Sequence, residues 1–152
     1  MTEAAAGAEV SPGAEATVSG PGYAKHPGYA VDLKPAGKRV RVTFNGETIV
    51  DTDQAFLVLE TQHAPVYYFR RGDVRMDLAR RTDHTSFCPF KGEASYWTLT
   101  VGGKTGENVF WSYETPYAEV PGMKDLIAMY WDRMDAWYED GAEVGEPADP
   151  RS

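Results

Sequence analysis

The sequence predicts one small, mainly β, antiparallel domain with at most a short helix. Three observations predict it. In residues 39–44, Val40, Val42 and Phe44 alternate with Arg39, Arg41 and Thr43, and a period of two marks a half-buried strand. Asn45-Gly46 follows at once, the strongest short hairpin signal, because a tight hairpin turn wants two residues that accept positive φ. Further on, the apolar runs are short and rich in β-branched and aromatic residues, which suit a pleated surface.

The remaining elements follow in order. Thr48-Ile49-Val50 reads as the returning strand of the hairpin. Residues 55–60 are a short apolar run and a third strand, which His63-Ala64-Pro65 breaks. Val66, Tyr67, Tyr68 and Phe69 read as a fourth strand, and residues 70–73 as a turn. Residues 74–81 have weak helical spacing and predict a short helix. Residues 96–101 and 108–113 read as strands on either side of a Gly102-Gly103 turn. The last apolar stretch is ambiguous. Leu126, Tyr130, Met134 and Trp137 form a helical stripe, while residues 126–131 and 134–138 also read as a hairpin around Asp132-Arg133. Short aromatic runs are not settled by periodicity alone.

The organisation predicted is a disordered N-terminal tail over residues 1–22, rich in Ala, Gly, Glu, Ser and Pro. An extended arm carrying Tyr29 and beginning at Tyr23 spans 23–38. The β domain spans 39–142, and a polar, flexible tail spans 143–152.

At 152 residues with 42% hydrophobic content, the chain can bury one core. Its formal net charge is -8. That argues against a nucleic-acid backbone binder, which needs clustered Lys and Arg, and against docking on anionic membranes. Cys88 is the only cysteine, so no internal disulfide forms, and a reducing compartment is expected. The N-terminus lacks the basic start and apolar run of a signal peptide, and no apolar run reaches the length of a membrane span. A cytoplasmic protein is the expectation.

Chemistry concentrates in residues 83–97, DHTSFCPFKGEASYW. Here an acid, an imidazole, the cysteine, a lysine and several aromatics lie close together. Titrating and nucleophilic groups need partners within hydrogen-bond reach, so such a stretch marks a candidate site. His84 would serve as general acid or base near neutral pH. Cys88 would be a nucleophile if positive neighbours favoured its thiolate, or an inert buried thiol. Lys91 would anchor an anion as a point charge, with Asp83 nearby as a polar contact or a turn cap. Tyr67, Tyr68, Tyr96, Trp97, Trp111 and Tyr113 would form a platform for a flat ligand, or simply core, with one of each adjacent pair facing in and the other out. No ligand pair has a spacing diagnostic of zinc, so no metal site is assigned. Asp51-Thr52-Asp53 reads as a turn. Gly102-Gly103-Lys104-Thr105-Gly106 lacks the spacing of a phosphate loop and reads as a hairpin turn.

The pieces RVRVTFNGETIVDT, APVYYFRRGDVRMDL, DHTSFCPFKGEASYW and ENVFWSYETPY occur here in one order. Together they resemble a bacterial family of unknown function, number 427, common in actinobacteria and proteobacteria and sometimes labelled nucleotidyltransferase-like. The resemblance covers roughly residues 39–139. It implies a fold like the small β-sheet proteins grouped as Mss4-like, or β-tent, and hence strands rather than a helix across the final aromatic segment. The zinc-bearing relatives of that group use two pairs of cysteines, which this chain lacks, so their zinc is not carried over. No residue quoted above supports nucleotidyl transfer, and a shared fold does not assign a function.

The expected function is therefore a small-molecule site between sheets, built from residues 83–97 and the aromatics. An accessory enzyme using His84, Cys88 and Lys91 is one form of it. A non-catalytic binding or interaction module, in which the same residues hold a tight turn, is the other. Ligand, cofactor and oligomeric state stay open.

Overall fold

The chain, as a computed structural model, is described over residues 18–148. Of the tails expected at 1–22 and 143–152, residues 1–17 and 149–152 lie outside the described residues, while Gly20 and Gly22 are held by hydrogen bonds to Glu119 and Pro89. Eleven strands form three antiparallel sheets. The first has the order β1-β4-β5, from β1 (Val31–Pro35), β4 (Phe56–Glu60) and β5 (Val66–Tyr68). The second has the order β11-β10-β2-β3, from β2 (Val40–Phe44), β3 (Glu47–Thr52), β10 (Ala136–Glu139) and β11 (Ala142–Val144). The third has the order β6-β7-β8-β9, from β6 (Ala79–Cys88), β7 (Gly92–Val101), β8 (Lys104–Ser112) and β9 (Ala128–Met129). Among the described residues the α-helical content is a single turn, α1 (Gly22–Lys25). No helix among the described residues is long and apolar enough to cross a membrane.

Turn chemistry sets the local hairpins. Asn45 and Gly46 have φ of 47° and 81° and join Phe44 to Glu47. Gly102 and Gly103, at 54° and 87°, join Val101 to Lys104. Both are two-residue turns with the positive φ that matches strand twist. The glycine-rich stretch from Gly102 is thus a hairpin turn followed by a strand.

Three expectations are corrected. Residues 74–81 form no α-helix. Two 3-10 turns (Arg71–Asp73 and Met76–Leu78) lead straight into β6, because the apolar spacing there spans too few turns to nucleate a helix. The final aromatic stretch is extended, but its two halves do not pair with each other. Instead β9 pairs with β8, while β10 pairs with β2. Ordered structure also continues past residue 142, since Asp140-Gly141 turns β10 into β11 with Glu139 opposite Ala142. The arm over 23–38 contains β1, which pairs along β4 from Val31 opposite Glu60 to Pro35 opposite Phe56.

Alternation along β5, β7 and β8 divides the interior in two. One apolar cluster collects Tyr67, Phe69, Trp97, Phe110 and Trp137 with the valines of β2. The other collects Tyr68, Tyr96, Tyr113, Val58 and Met123, with Trp111 and Cys88 packed against it. Adjacent residues such as Tyr67 and Tyr68, or Tyr96 and Trp97, point to opposite faces, as strand geometry requires.

Candidate functional site

The second cluster does not close over itself. It opens into a cleft of about 560 Å³. Tyr68 and Val66 of β5, Cys88 at the end of β6, and Tyr96 and Trp111 of the third sheet line it, with Tyr113 just beyond β8. Phe87 and Tyr130 stand at its rim, 64% and 41% exposed. Half of the lining residues are Phe, Tyr or Trp, and Glu60, His63 and Lys91 add an acid, an imidazole and an amine, a make-up of aromatic walls with a few polar groups that suits a small-molecule cleft.

The turn Pro89-Phe90-Lys91 forms one side, between Cys88 and its cross-strand partner Gly92. All three of its carbonyls are held. Pro89 accepts from the Gly22 N–H at 3.0 Å, Phe90 from the Tyr23 hydroxyl at 2.8 Å, and Lys91 from the Tyr117 N–H at 3.1 Å. The approach of the N-terminal segment needs glycine, because a Cβ on Gly22 would fall 2.6 Å from the Phe90 ring. Tyr29 stacks on the other side of the same turn, its ring 3.7 Å from that of Phe90 and tilted by 10°. At Gly92, φ is 125°, and a Cβ there would lie 3.2 Å from the Thr115 carbonyl. The Lys-Gly step is therefore a backbone requirement of this turn.

Lys91 does not stand free as an anion anchor. Its Nζ meets Glu60 Oε1 at 2.5 Å, and the two side chains are only 13% and 10% exposed. Tyr29 donates its hydroxyl to the other oxygen of Glu60. Burial, and then that carboxylate, push the Tyr29 phenol well above its ordinary value. The cleft thus carries one largely buried cation and one largely buried anion in direct contact, with no net charge from the pair.

The tyrosines of the cleft differ in what their hydroxyls meet. Tyr96 shares a hydrogen bond with Ser86 Oγ at 2.7 Å. The Tyr68 oxygen accepts from Trp111 Nε1 at 3.1 Å, but its own O–H finds no acceptor among the described residues. Tyr113 makes no side-chain hydrogen bond there at all. These two residues are 2% and 7% exposed, and both line the cleft. Burial, the largest cause, raises both phenols far above the ordinary range, so both keep their protons and remain donors.

Of the residues singled out in sequence, the fold brings Cys88, Lys91, Trp111 and Tyr113 to this cleft. It does not bring Asp83 or His84. Both are exposed at an irregularity in β6, between Arg81 and Thr85, where the register with β7 shifts. The His84 ring lies 4.5 Å from that of Tyr96, edge to face, outside the cleft wall. Tyr67 is on the opposite face of β5 and donates to Glu139 Oε2 at 2.5 Å. Trp97 is in the closed cluster, with the Arg71 and Arg81 guanidiniums 5.0 and 5.3 Å from its ring centre. Among the described residues no three His, Cys, Asp or Glu side chains converge as a metal site. The sequence does not mark Glu60 or Tyr130 as cleft residues, whereas the alternation of adjacent aromatics is the signal for Tyr68 and Tyr96. Glu60 carried none, because its partner is 31 residues away.

A family model described as a domain of unknown function (DUF427) matches residues 32–140, and the chain belongs to that family. The match begins inside β1 and ends at the Asp140-Gly141 turn, so it takes in every residue of the cleft named above. No curated protein is similar enough to the chain to count as a match.

Proposed function

We propose that this member of the DUF427 family is a small-molecule-binding domain whose site is the aromatic cleft above Tyr68 and Tyr113. The observation that carries the reading is the cleft itself, an opening of about 560 Å³ into an otherwise packed aromatic cluster. A core built only for stability closes such a space, because unfilled apolar volume costs contact energy. The rigid 89–91 turn supports the reading, since a binding wall is useful when it is preformed. Acidity and the lone thiol support a cytoplasmic setting with neither nucleic acid nor membrane as partner.

Binding is favoured over catalysis because the expected catalytic trio does not assemble. Cys88 and Lys91 line the cleft, whereas His84 lies behind Tyr96, and Lys91 is already paired with Glu60. One observation favours a catalytic second reading: the half-buried Cys88 thiol lines the same space. A fragment screen by thermal shift tests the first reading, with hits repeated on the rim variant Tyr130→Ala. Fragments that stabilise the native chain should lose most of that effect in the variant, whose own melting temperature should stay near the native one. Hits indifferent to Tyr130→Ala would overturn the assignment of the site.

A further inference from the structure

We infer that the ligand of this cleft carries a neutral carbonyl oxygen on a flat ring system, and that this oxygen accepts the hydroxyl protons of both Tyr68 and Tyr113. The inference rests on the reading of the cleft as a binding site and goes on to name the chemistry of its occupant.

Buried polar groups are almost always hydrogen-bonded, so an exception asks for an explanation. Tyr68 and Tyr113 are two such exceptions, they line one cleft, and each has a proton with no acceptor among the described residues. The other tyrosines around them do have partners: Tyr29 donates to Glu60, Tyr67 to Glu139, Tyr23 to the Phe90 carbonyl, and Tyr96 pairs with Ser86. The missing group must therefore be an acceptor, and one oxygen with two lone pairs can serve two donors. The polarity of the site sets its charge. Lys91 is neutralised by Glu60 in direct contact, so a carboxylate or phosphate entering the cleft would lose hydration and meet only the exposed imidazole of His63 in exchange. A neutral carbonyl avoids that cost. The flat ring follows from the walls, where Trp111 and Tyr130 lie with ring centres 4.8 Å apart and tilted.

The test uses three probes of similar shape on the full chain, followed by saturation-transfer NMR. Benzamide has the neutral carbonyl, benzoate the same outline with a charge, and cumene the outline with no acceptor. Benzamide should bind most tightly. Tyr113→Phe and Tyr68→Phe should each weaken it about fivefold, the worth of one net hydrogen bond, and leave cumene unchanged. The inference is overturned if benzoate binds as well as benzamide, or if both phenylalanine variants bind benzamide like the native chain. If Tyr130→Ala leaves all bound probes unaffected, or if none of the three binds, the cleft itself is not the site and both readings fall together. Loss of every probe in Tyr130→Ala with no preference for benzamide removes only the carbonyl.

Discussion

Tyr67 and Tyr68 are neighbours on one short strand, and they face two different environments. Tyr67 enters the first cluster, beside a smaller pocket of about 100 Å³ that it lines with Trp131 and Trp137, and there its ring packs parallel to those of Phe69 and Trp137 and its hydroxyl donates to Glu139. Tyr68 enters the open cluster, where its hydroxyl receives the Trp111 indole and gives its own proton to nothing among the described residues. The indoles differ in place but not in pairing. Trp137 Nε1 donates to the Trp131 carbonyl at 3.1 Å, inside a stack of the two rings at 4.1 Å, whereas Trp111 borders the cleft and donates to the Tyr68 hydroxyl at 3.1 Å. Aromatic content therefore does not separate core from site in this fold. The hydroxyl protons of Tyr68 and Tyr113, without an acceptor among the described residues, mark the site.

The largest way to probe that contrast is to cut the closed side. Trp137→Ala should cost about 3–5 kcal/mol, because it empties a packed volume that cannot collapse. Chemical denaturation would measure it as a lower midpoint with an unchanged slope. Next comes the ion pair on the open side. Lys91→Met leaves the Glu60 carboxylate buried and should cost about 3 kcal/mol. The double variant Lys91→Met with Glu60→Leu should recover much of that loss, since replacing a buried pair by apolar groups is often neutral. Equal instability of the single and double variants would mean that the pair does more than balance its own charge.

Smaller effects of opposite sign should separate the tyrosines. Tyr67→Phe removes a donor to Glu139 and should lower stability by about 1 kcal/mol. Tyr113→Phe removes a buried hydroxyl that has no partner among the described residues, and should raise the melting temperature by about 2–4 °C. A fall in both variants would erase the distinction between the two faces. The smallest effect concerns acid. Arg81, and then Arg71, hold the Glu114 carboxyl below its ordinary value, beside Trp97. A carboxyl lowered in the folded state stabilises above its unfolded value and loses that contribution as pH falls through the folded one. Glu114→Gln should therefore lower the melting temperature slightly at neutral pH and flatten its decline below about pH 4.5, the ordinary Glu value, so that native chain and variant converge in acid. Asp135 and Glu119, lowered mainly by backbone and Ser19 hydrogen bonds, act in the same direction.

How much of this could be read in advance follows from which interactions are local. The Asn45-Gly46 and Gly102-Gly103 hairpins are determined by two residues each, and the sequence announces them. Asp140-Gly141 carries the same signal, and it marks a strand where a loose tail was expected. Pairing at a distance is different. Nothing in residues 126–138 tells β9 to join β8 and β10 to join β2, and nothing in residues 31–35 names β4 as their partner. The site divides along the same line. The 83–97 stretch points to Cys88 and Lys91, but local pattern does not reveal the register shift after Arg81 that leaves Asp83 and His84 exposed. Nor does it reveal that Glu60 neutralises Lys91 from another sheet.

The most direct test of the contrast is the indole region of a proton–nitrogen correlation spectrum recorded while benzamide is titrated into the native chain. Trp111 and Trp137 each contribute one indole N–H; Trp111 borders the large cleft, and Trp137 stands in the Trp131 stack beside the smaller pocket. The account predicts that the Trp111 signal moves and saturates while the Trp137 signal stays in place. A Trp111 signal that does not move, or a Trp137 signal that moves equally, would contradict it.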